Sequence, residues 1–261
     1  MPPVDGIFIG LLLGLVLGMT GIGSGSVLTP LLILHAGMAP ERAVGTALLV
    51  SFITKSYGSW NFWRRGMVHL GILRELCLGC VPGVVAGAVL IRYLGTQRPE
   101  VLHHLLLRAI GAALMLVAAT MLWRLLSGGL HQPSGRLFEL ISRHRKAIVV
   151  VCGFGIGAVF AVTSVGSGAA VIPLIVICYG SLPPGRLVGT SIVVGTILAA
   201  IAGLAHAGLG TVDWKMTGGL LLGSVPAMWL SGHIHARLPR HVPEGLIALA
   251  LMAMGIHIFF K

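Results

Sequence analysis

Long stretches without a charged side chain are the feature that most limits how this chain can fold. Lys, Arg, Asp and Glu are absent from eight runs, at 6–40, 43–54, 76–91, 109–123, 147–185, 187–210, 216–236 and 245–260. Several runs reach the roughly 20 residues that cross a hydrocarbon core about 30 Å thick. The whole chain is 56% hydrophobic and only 10% charged, whereas soluble domains are roughly one-quarter charged. The sequence therefore predicts an all-α, polytopic integral membrane protein without a separate soluble domain.

The formal net charge of +11 needs an explanation other than nucleic-acid binding, because the basic residues form no patch interleaved with aromatic residues. Basic residues of multispanning proteins collect in cytoplasmic loops, which accounts for the charge. Cys77 and Cys80 form a lone CxxC in an apolar run, which favours helix packing over a zinc site. We therefore predict no nucleic-acid partner, no metal and no cofactor.

The chain repeats itself at a nearly constant offset. TGIGSGSVLTPLL at 20–32 aligns with TSVGSGAAVIPLI at 163–175, an offset of 143. APERAVGTALLVS at 39–51 aligns with PPGRLVGTSIVVG at 183–195, an offset of 144. A shared offset over about a hundred residues indicates duplication. We predict a first membrane repeat at 1–126, a cytoplasmic linker at 127–146 and a second membrane repeat at 147–261.

Charge and span lengths predict the topology. The linker carries Arg136, Arg143, Arg145 and Lys146, and no Lys or Arg precedes Arg42. The positive-inside rule therefore places the linker in the cytoplasm and favours an external amino terminus.

The first half then needs an odd number of crossings, and plain spans at about 43–62, 69–92 and 102–126 supply three. The remaining segment, 6–37, is too long for one helix across the core and short for two. We predict that each repeat opens with a broken or re-entrant pair of short helices, giving about eight membrane helices in oppositely oriented halves. If the broken segment crosses fully, the halves instead run parallel.

The glycine-rich break itself predicts a binding site. Non-helical backbone at membrane depth is tolerated only where protein buries it or where it lines a cavity. Glycines expose amides, and the helix that restarts after them directs a partly positive end toward the break, which suits an anion. The alternative is that the glycines serve helix packing. We assign to substrate binding Thr20, Gly21, Gly23, Ser24, Gly25 and Pro30 of the first half, with Thr163, Gly166, Ser167, Gly168 and Pro173 of the second.

Lys55 lies near the middle of its predicted span, with Ser51 one turn earlier. Ionisable groups at this depth are costly and mark functional sites, so we predict that Lys55 attracts an anionic substrate. The alternative is that Lys55 snorkels to an interface. Hydroxyl donors join the predicted substrate-binding residues: Thr46 and Ser51 of the first half, and Thr190 and Ser191 of the second. For any one hydroxyl, bonding to its own helix is an equally good explanation.

The motifs GIGSGSVLTP and SVGSGAAVIP, each followed by PERAVGT or PGRLVGT, resemble the sulfite exporter TauE/SafE family of bacterial membrane permeases. The resemblance covers nearly the whole chain and implies a multi-pass inner-membrane carrier of sulfite, sulfonates and other small organic anions. The family's glycine-rich motif falls on Gly21, Gly23, Gly25 and Pro30, and on Gly166, Gly168 and Pro173. Ser24 and Ser167 stand where many members carry another glycine, and Ser164 replaces Gly21, which leaves the substrate open.

We therefore expect a secondary transporter that exports small anions and is not an enzyme. A GxxxxGK[ST] motif, which would bind nucleotide, is absent from the sequence. A passive anion channel or a non-transporting membrane subunit is the main alternative. An intramembrane serine protease is a remote one, because GSGS occurs without a matched histidine base. His206 is a candidate proton relay, and the coupling ion and oligomeric state are left open.

Overall fold

The structure, a computed structural model, describes residues 6–11, 14, 24–127, 141, 143–180, 182–234 and 241–261. All regular secondary structure in these residues is helical, which confirms the all-α prediction. Residues 6–11 are helical, and the helices that follow in the described ranges are α1 (Ser24–Leu34), α2 (Pro40–Arg64), α3 (Leu70–Gln97), α4 (Pro99–Leu126), α5 (Arg145–Thr163), α6 (Val171–Tyr179), α7 (Pro184–Gly208), α8 (Trp214–Ile234) and α9 (His241–Phe259).

Length and apolar composition identify the membrane spans. Among the described helices, α3, α4, α5 and α7 are long and apolar enough to cross a bilayer. Shorter apolar helices cover Gly25–Leu34 and Gly245–Phe259. The predicted spans of the first half correspond to α2, α3 and α4, although α2 is less apolar because residues such as Lys55 interrupt it. The chain is therefore a multi-pass membrane protein.

Counterpart helices of the two halves pack against each other in opposite directions. In the pair formed by α2 and α7, Gly45 lies beside His206, whereas Gly58 lies beside Ile192. The residue order along one helix is thus reversed along the other, and the same holds for α4 and α9. This antiparallel packing agrees with the inverted orientation predicted for the repeats, which stays a prediction.

Helices α3 and α5 run parallel and approach closely through glycines. Gly79, Gly83 and Gly87 of α3 lie against Val150, Phe154 and Ala158 of α5. On the α5 side, a Cβ at Gly157 would overlap the carbonyl oxygen of Cys80. Small residues at such contacts let membrane helices pack backbone to backbone. This pair holds the end of α5 at a fixed position in the bundle.

The helix pair that opens the second half is broken, as predicted, and its two helices differ in length. Helix α5 has 19 residues, about 28 Å in length, so it can cross the membrane. Only α6, with 9 residues, is short. Gly87 of α3 packs at the level of Ala158 of α5. From that level α3 continues to Gln97, for about ten residues or about 15 Å, whereas α5 ends sooner, at Thr163. The break after Thr163 therefore lies inside the bundle rather than at its end.

Candidate functional site

The break between α5 and α6 depends on two residues with positive φ. Ser164 has φ 60° and Gly166 has φ 98°. The left-handed conformation costs a residue with a Cβ about 1–2 kcal/mol, and the Ser164 N–H donates to the Phe160 carbonyl at 2.7 Å to close α5. The Thr163 hydroxyl accepts a hydrogen bond from the Val165 N–H at 3.1 Å. The chain thus leaves the helix directly after Thr163.

Helix α1 of the other half reaches this break. The Thr29 hydroxyl donates to Ser164 Oγ at 3.2 Å, and both side chains are buried. A Cβ at Gly25 would overlap the Ser164 backbone, whereas one at Gly166 or Gly168 would meet open space. Close packing therefore explains Gly25, as the alternative interpretation proposed, but it does not explain the two glycines of the second half.

Lys55 of α2 directs its ammonium group at the same break. Nζ donates to Ser167 Oγ at 2.8 Å and lies 5.8 Å from the centroid of the Phe160 ring, within range of a cation–π contact. On the α7 side, the absence of a side chain at Gly195 leaves room for Lys55 and Ser167. The side chain is half-buried and points into the bundle, which opposes the snorkelling alternative.

The four acidic side chains that the structure describes lie at other positions. Glu41 and Glu100 are in the first turns of α2 and α4. Glu75 accepts a hydrogen bond from the last residue of α6, and Asp213 accepts one from the backbone at the start of α8. Within the described part of the chain, Lys55 therefore lacks a carboxylate partner.

Further donors lie near this contact. Ser191 is buried, its hydroxyl has no hydrogen-bond partner among the described residues, and it lies one turn from Gly195 on the same face of α7. Ser51 is buried one turn before Lys55. The Ala170 N–H donates to the Gly166 carbonyl at 2.9 Å, so the amides just before it stand at the amino end of α6, where helices leave N–H groups without helical partners.

Thr46 and Thr190 have structural partners away from the break. The Thr46 hydroxyl accepts a hydrogen bond from the Asp213 N–H at 3.1 Å. The Thr190 hydroxyl accepts one from the His69 N–H at 2.9 Å and donates to its own helix. His69 and Asp213 precede α3 and α8 and lie 144 positions apart, as the two threonines do. Each threonine thus anchors the start of a helix in the opposite half.

Replacing Thr190 with valine is therefore expected to destabilise the protein by about 1 kcal/mol, because the His69 N–H loses its acceptor. Thermal unfolding in detergent would measure this loss, and Thr190→Ser, which retains the hydroxyl, should keep wild-type stability. The half-saturating substrate concentration should stay unchanged. A large rise in that concentration at wild-type stability would instead give Thr190 the substrate-binding role predicted from sequence.

The remaining predicted site residues are placed as follows. Thr20, Gly21 and Gly23 lie outside the described residues, and Ser24 is the first residue of α1. Pro30 is buried inside α1, where it removes a helical hydrogen bond, whereas Pro173 occupies the first turn of α6. Their substrate-binding roles stay predictions.

Sequence reasoning missed three residues of the site. The sequence does not distinguish Thr29 and Phe160 as site residues, because hydroxyl and aromatic residues are ordinary in membrane helices. Ser164 could have been identified, because it aligns with Gly21 and so occupies a position that favours glycine. Within the described residues, no group of three or more His, Cys, Asp or Glu side chains is placed to hold a metal ion.

Known proteins resemble this chain over nearly its whole length. The sequence profile of the family described as sulfite exporter TauE/SafE matches residues 6–258. The probable membrane transporter protein YjnA of Bacillus subtilis strain 168 is 30% identical over 254 residues, covering 96% of this chain and 97% of the relative. Two other probable membrane transporter proteins of that strain, YunE and YdhB, are 22% and 25% identical. The alignment with YunE covers 98% of this chain and 96% of YunE, and the alignment with YdhB covers 95% of this chain and 97% of YdhB.

No solved structure matches the chain. The family profile covers almost every residue, the relatives are named as membrane transporters, and the described helices are apolar enough to span a bilayer. The protein is accordingly a multi-pass transporter of the bacterial cell membrane, and it belongs to the sulfite exporter TauE/SafE family.

Proposed function

We propose that this transporter exports small oxyanions, with sulfite and organic sulfonates as its substrate class. The observation that carries the proposal is the contact between the Lys55 ammonium and Ser167 in the helix break. The family's description as a sulfite exporter supports both the substrate class and the direction.

The chemistry of Lys55 favours an anionic ligand. A charged side chain at membrane depth is costly unless an opposite charge or hydrogen-bond acceptors surround it. An ammonium group has three donors, and Ser167 accepts one of them. A bound anion would accept from the others through charge-assisted hydrogen bonds, which are stronger than neutral ones.

The neighbouring groups suit a compact anion with three oxygens. The Ser167 and Ser191 hydroxyls can each donate one hydrogen bond, and the amino end of α6 adds backbone amides and a partly positive helix terminus. Sulfite and the sulfonate group each present three oxygens in a pyramid, so different oxygens could accept from Lys55, the hydroxyls and the amides together. A Cβ at Gly166 or Gly168 would meet open space, so the backbone at these two glycines leaves room for a ligand.

Transport then requires the site to open alternately to the two sides. Broken helices at matching positions of inverted repeats commonly form the midplane site of secondary transporters, with one half rocking against the other. We propose that the halves at 1–126 and 147–261 move in this way, with 127–146 as their cytoplasmic connection. A gradient rather than ATP hydrolysis drives the movement.

Counterflow would test the proposal. Purified protein in proteoliposomes is loaded with excess unlabelled sulfite, sulfoacetate, taurine or lactate, and radiolabelled sulfite is added outside. We expect transient accumulation of label when sulfite or sulfoacetate is trapped. Protein-free liposomes give the background from passive diffusion of sulfur dioxide, the neutral species in equilibrium with sulfite.

Each alternative function gives a different result. Equilibration of the label without transient accumulation would indicate a passive channel. An absence of specific flux from folded protein would indicate a non-transporting subunit or another substrate. Accumulation driven by lactate but not by sulfite would overturn the assigned substrate class, and full transport by Ser24→Ala would exclude a serine nucleophile at that position.

A further inference from the structure

We propose that His206 binds the proton that couples anion transport to the pH gradient, an inference that rests on the transport function proposed above. His206 lies in α7 and is fully buried, with 0% of its surface exposed. Its Nδ1 is 2.8 Å from Thr211 Oγ1, and its Nε2 is 3.2 Å from the Ala161 carbonyl oxygen. A titratable ring at this depth is a functional candidate.

The surroundings can satisfy the imidazole with or without an added proton. In the neutral ring, Nε2–H donates to the Ala161 carbonyl and the Thr211 hydroxyl donates to Nδ1. In the charged ring, Nδ1–H donates to Thr211 Oγ1, and the hydroxyl turns to donate to the His206 carbonyl, which lies 3.0 Å away. Because a hydroxyl can rotate between these two acceptors, neither state leaves a buried donor without a partner.

His206 also connects a cavity to the helix break. Thr211 lines a cavity of about 840 Å³ at the end of the bundle where α3 and α7 end and α2 and α4 begin. Ala161 is in the last turn of α5, where helix carbonyls carry a partial negative charge that favours a cation. A proton entering from the cavity would therefore be held against the helix whose end forms the proposed anion site.

Charged groups near the ring come from three elements. Glu41 of α2 lies one turn before Gly45, whose backbone adjoins Nδ1, and Asp213 follows Thr211 at the start of α8. Arg92 of α3 lines the same cavity as Glu41. The charged residues of α5 and α7 lie at the opposite ends of those helices.

The test compares gradient-driven accumulation with counterflow of radiolabelled sulfite in the same proteoliposomes. A gradient of one pH unit supports up to about tenfold accumulation for each coupled proton. In the His206→Gln variant we expect the ratio of gradient-driven accumulation to counterflow to fall by about that factor. His35→Gln, at an exposed position after α1, is the matched control and should keep the wild-type ratio. A wild-type ratio in His206→Gln would overturn the proposal.

Two further measurements guard against a variant that fails to fold or a wrong substrate. Thr211→Val removes the acceptor of Nδ1–H and should lose gradient-driven accumulation, whereas Thr211→Ser keeps the hydroxyl and should retain it. Equal accumulation by the two variants would overturn the proposal. In a protein labelled with ¹⁵N-histidine, the ring signal missing from His206→Gln should change from the neutral to the charged form when the pH is lowered. A ring that stays neutral would overturn the proton site, whereas failure of sulfite counterflow with a titrating ring would overturn only the substrate.

Discussion

Replacing Lys55 with alanine is expected to raise the half-saturating concentration for sulfite counterflow by about ten- to a hundredfold. A hydrogen bond to a charged group contributes about 1.5–3 kcal/mol, and each 1.4 kcal/mol is about a factor of ten in affinity. The alanine variant removes the ammonium group that contacts Ser167 and leaves the two helices in place. Lys55→Arg keeps the charge and is expected to lose less affinity.

Lys146 provides the matched control for this substitution. It is an exposed lysine in the first turn of α5, so Lys146→Ala removes the same charge at the membrane surface and should leave sulfite affinity unchanged. Thermal unfolding should show that both alanine variants are folded. If Lys55→Ala and Lys55→Arg both retain wild-type affinity, Lys55 does not bind the anion.

Replacing Gly157 with valine is expected to destabilise the protein strongly, because the added Cβ would overlap the Cys80 carbonyl oxygen of α3. Overpacking of this kind typically costs about 1–3 kcal/mol, and more where only backbone can move aside. The variant should unfold at lower temperature in detergent and give a smaller folded fraction in gel filtration.

Gly155 lies two residues away on the same helix and offers a close control. A Cβ at Gly155 meets no atom within 4 Å, so Gly155→Val makes the same chemical change and has the same effect on helix propensity. The difference in unfolding temperature between the two variants therefore measures the contact between α3 and α5. Equal unfolding temperatures would show that this contact is not as tight as the structure indicates.

The membrane helices could be predicted because each one is a largely apolar run bounded by polar residues or proline, which can be recognised from neighbouring positions in the sequence. The spans expected at 43–62, 69–92 and 102–126 correspond to α2, α3 and α4, and Pro40 and Pro99 set the first turns of α2 and α4. The length of α5 was harder to predict. Arg145 and Lys146 belong to that helix, whereas the sequence pattern assigned these basic residues to the linker.

The site was predictable only in part, because its contacts join residues that are distant in sequence. Lys55 could be identified from its depth, but Ser167 lies 112 positions away in the other half. Thr190 illustrates a related limit. The sequence around a threonine is the same whether its hydroxyl binds an anion or accepts a hydrogen bond from a distant backbone N–H, as Thr190 does from His69. Only the position of the partner separates the two roles.

The reciprocal contacts of Thr46 with Asp213 and of Thr190 with His69 bear on how such a chain could have arisen. Two copies of a single half, inserted into the membrane in opposite directions, would make both contacts between separate subunits, with each copy holding the helix start of its partner. Fusion of the two genes would preserve these contacts and fix the subunits at equal numbers. It would also allow one copy alone to acquire a lysine at position 55, while its counterpart position kept Ala199.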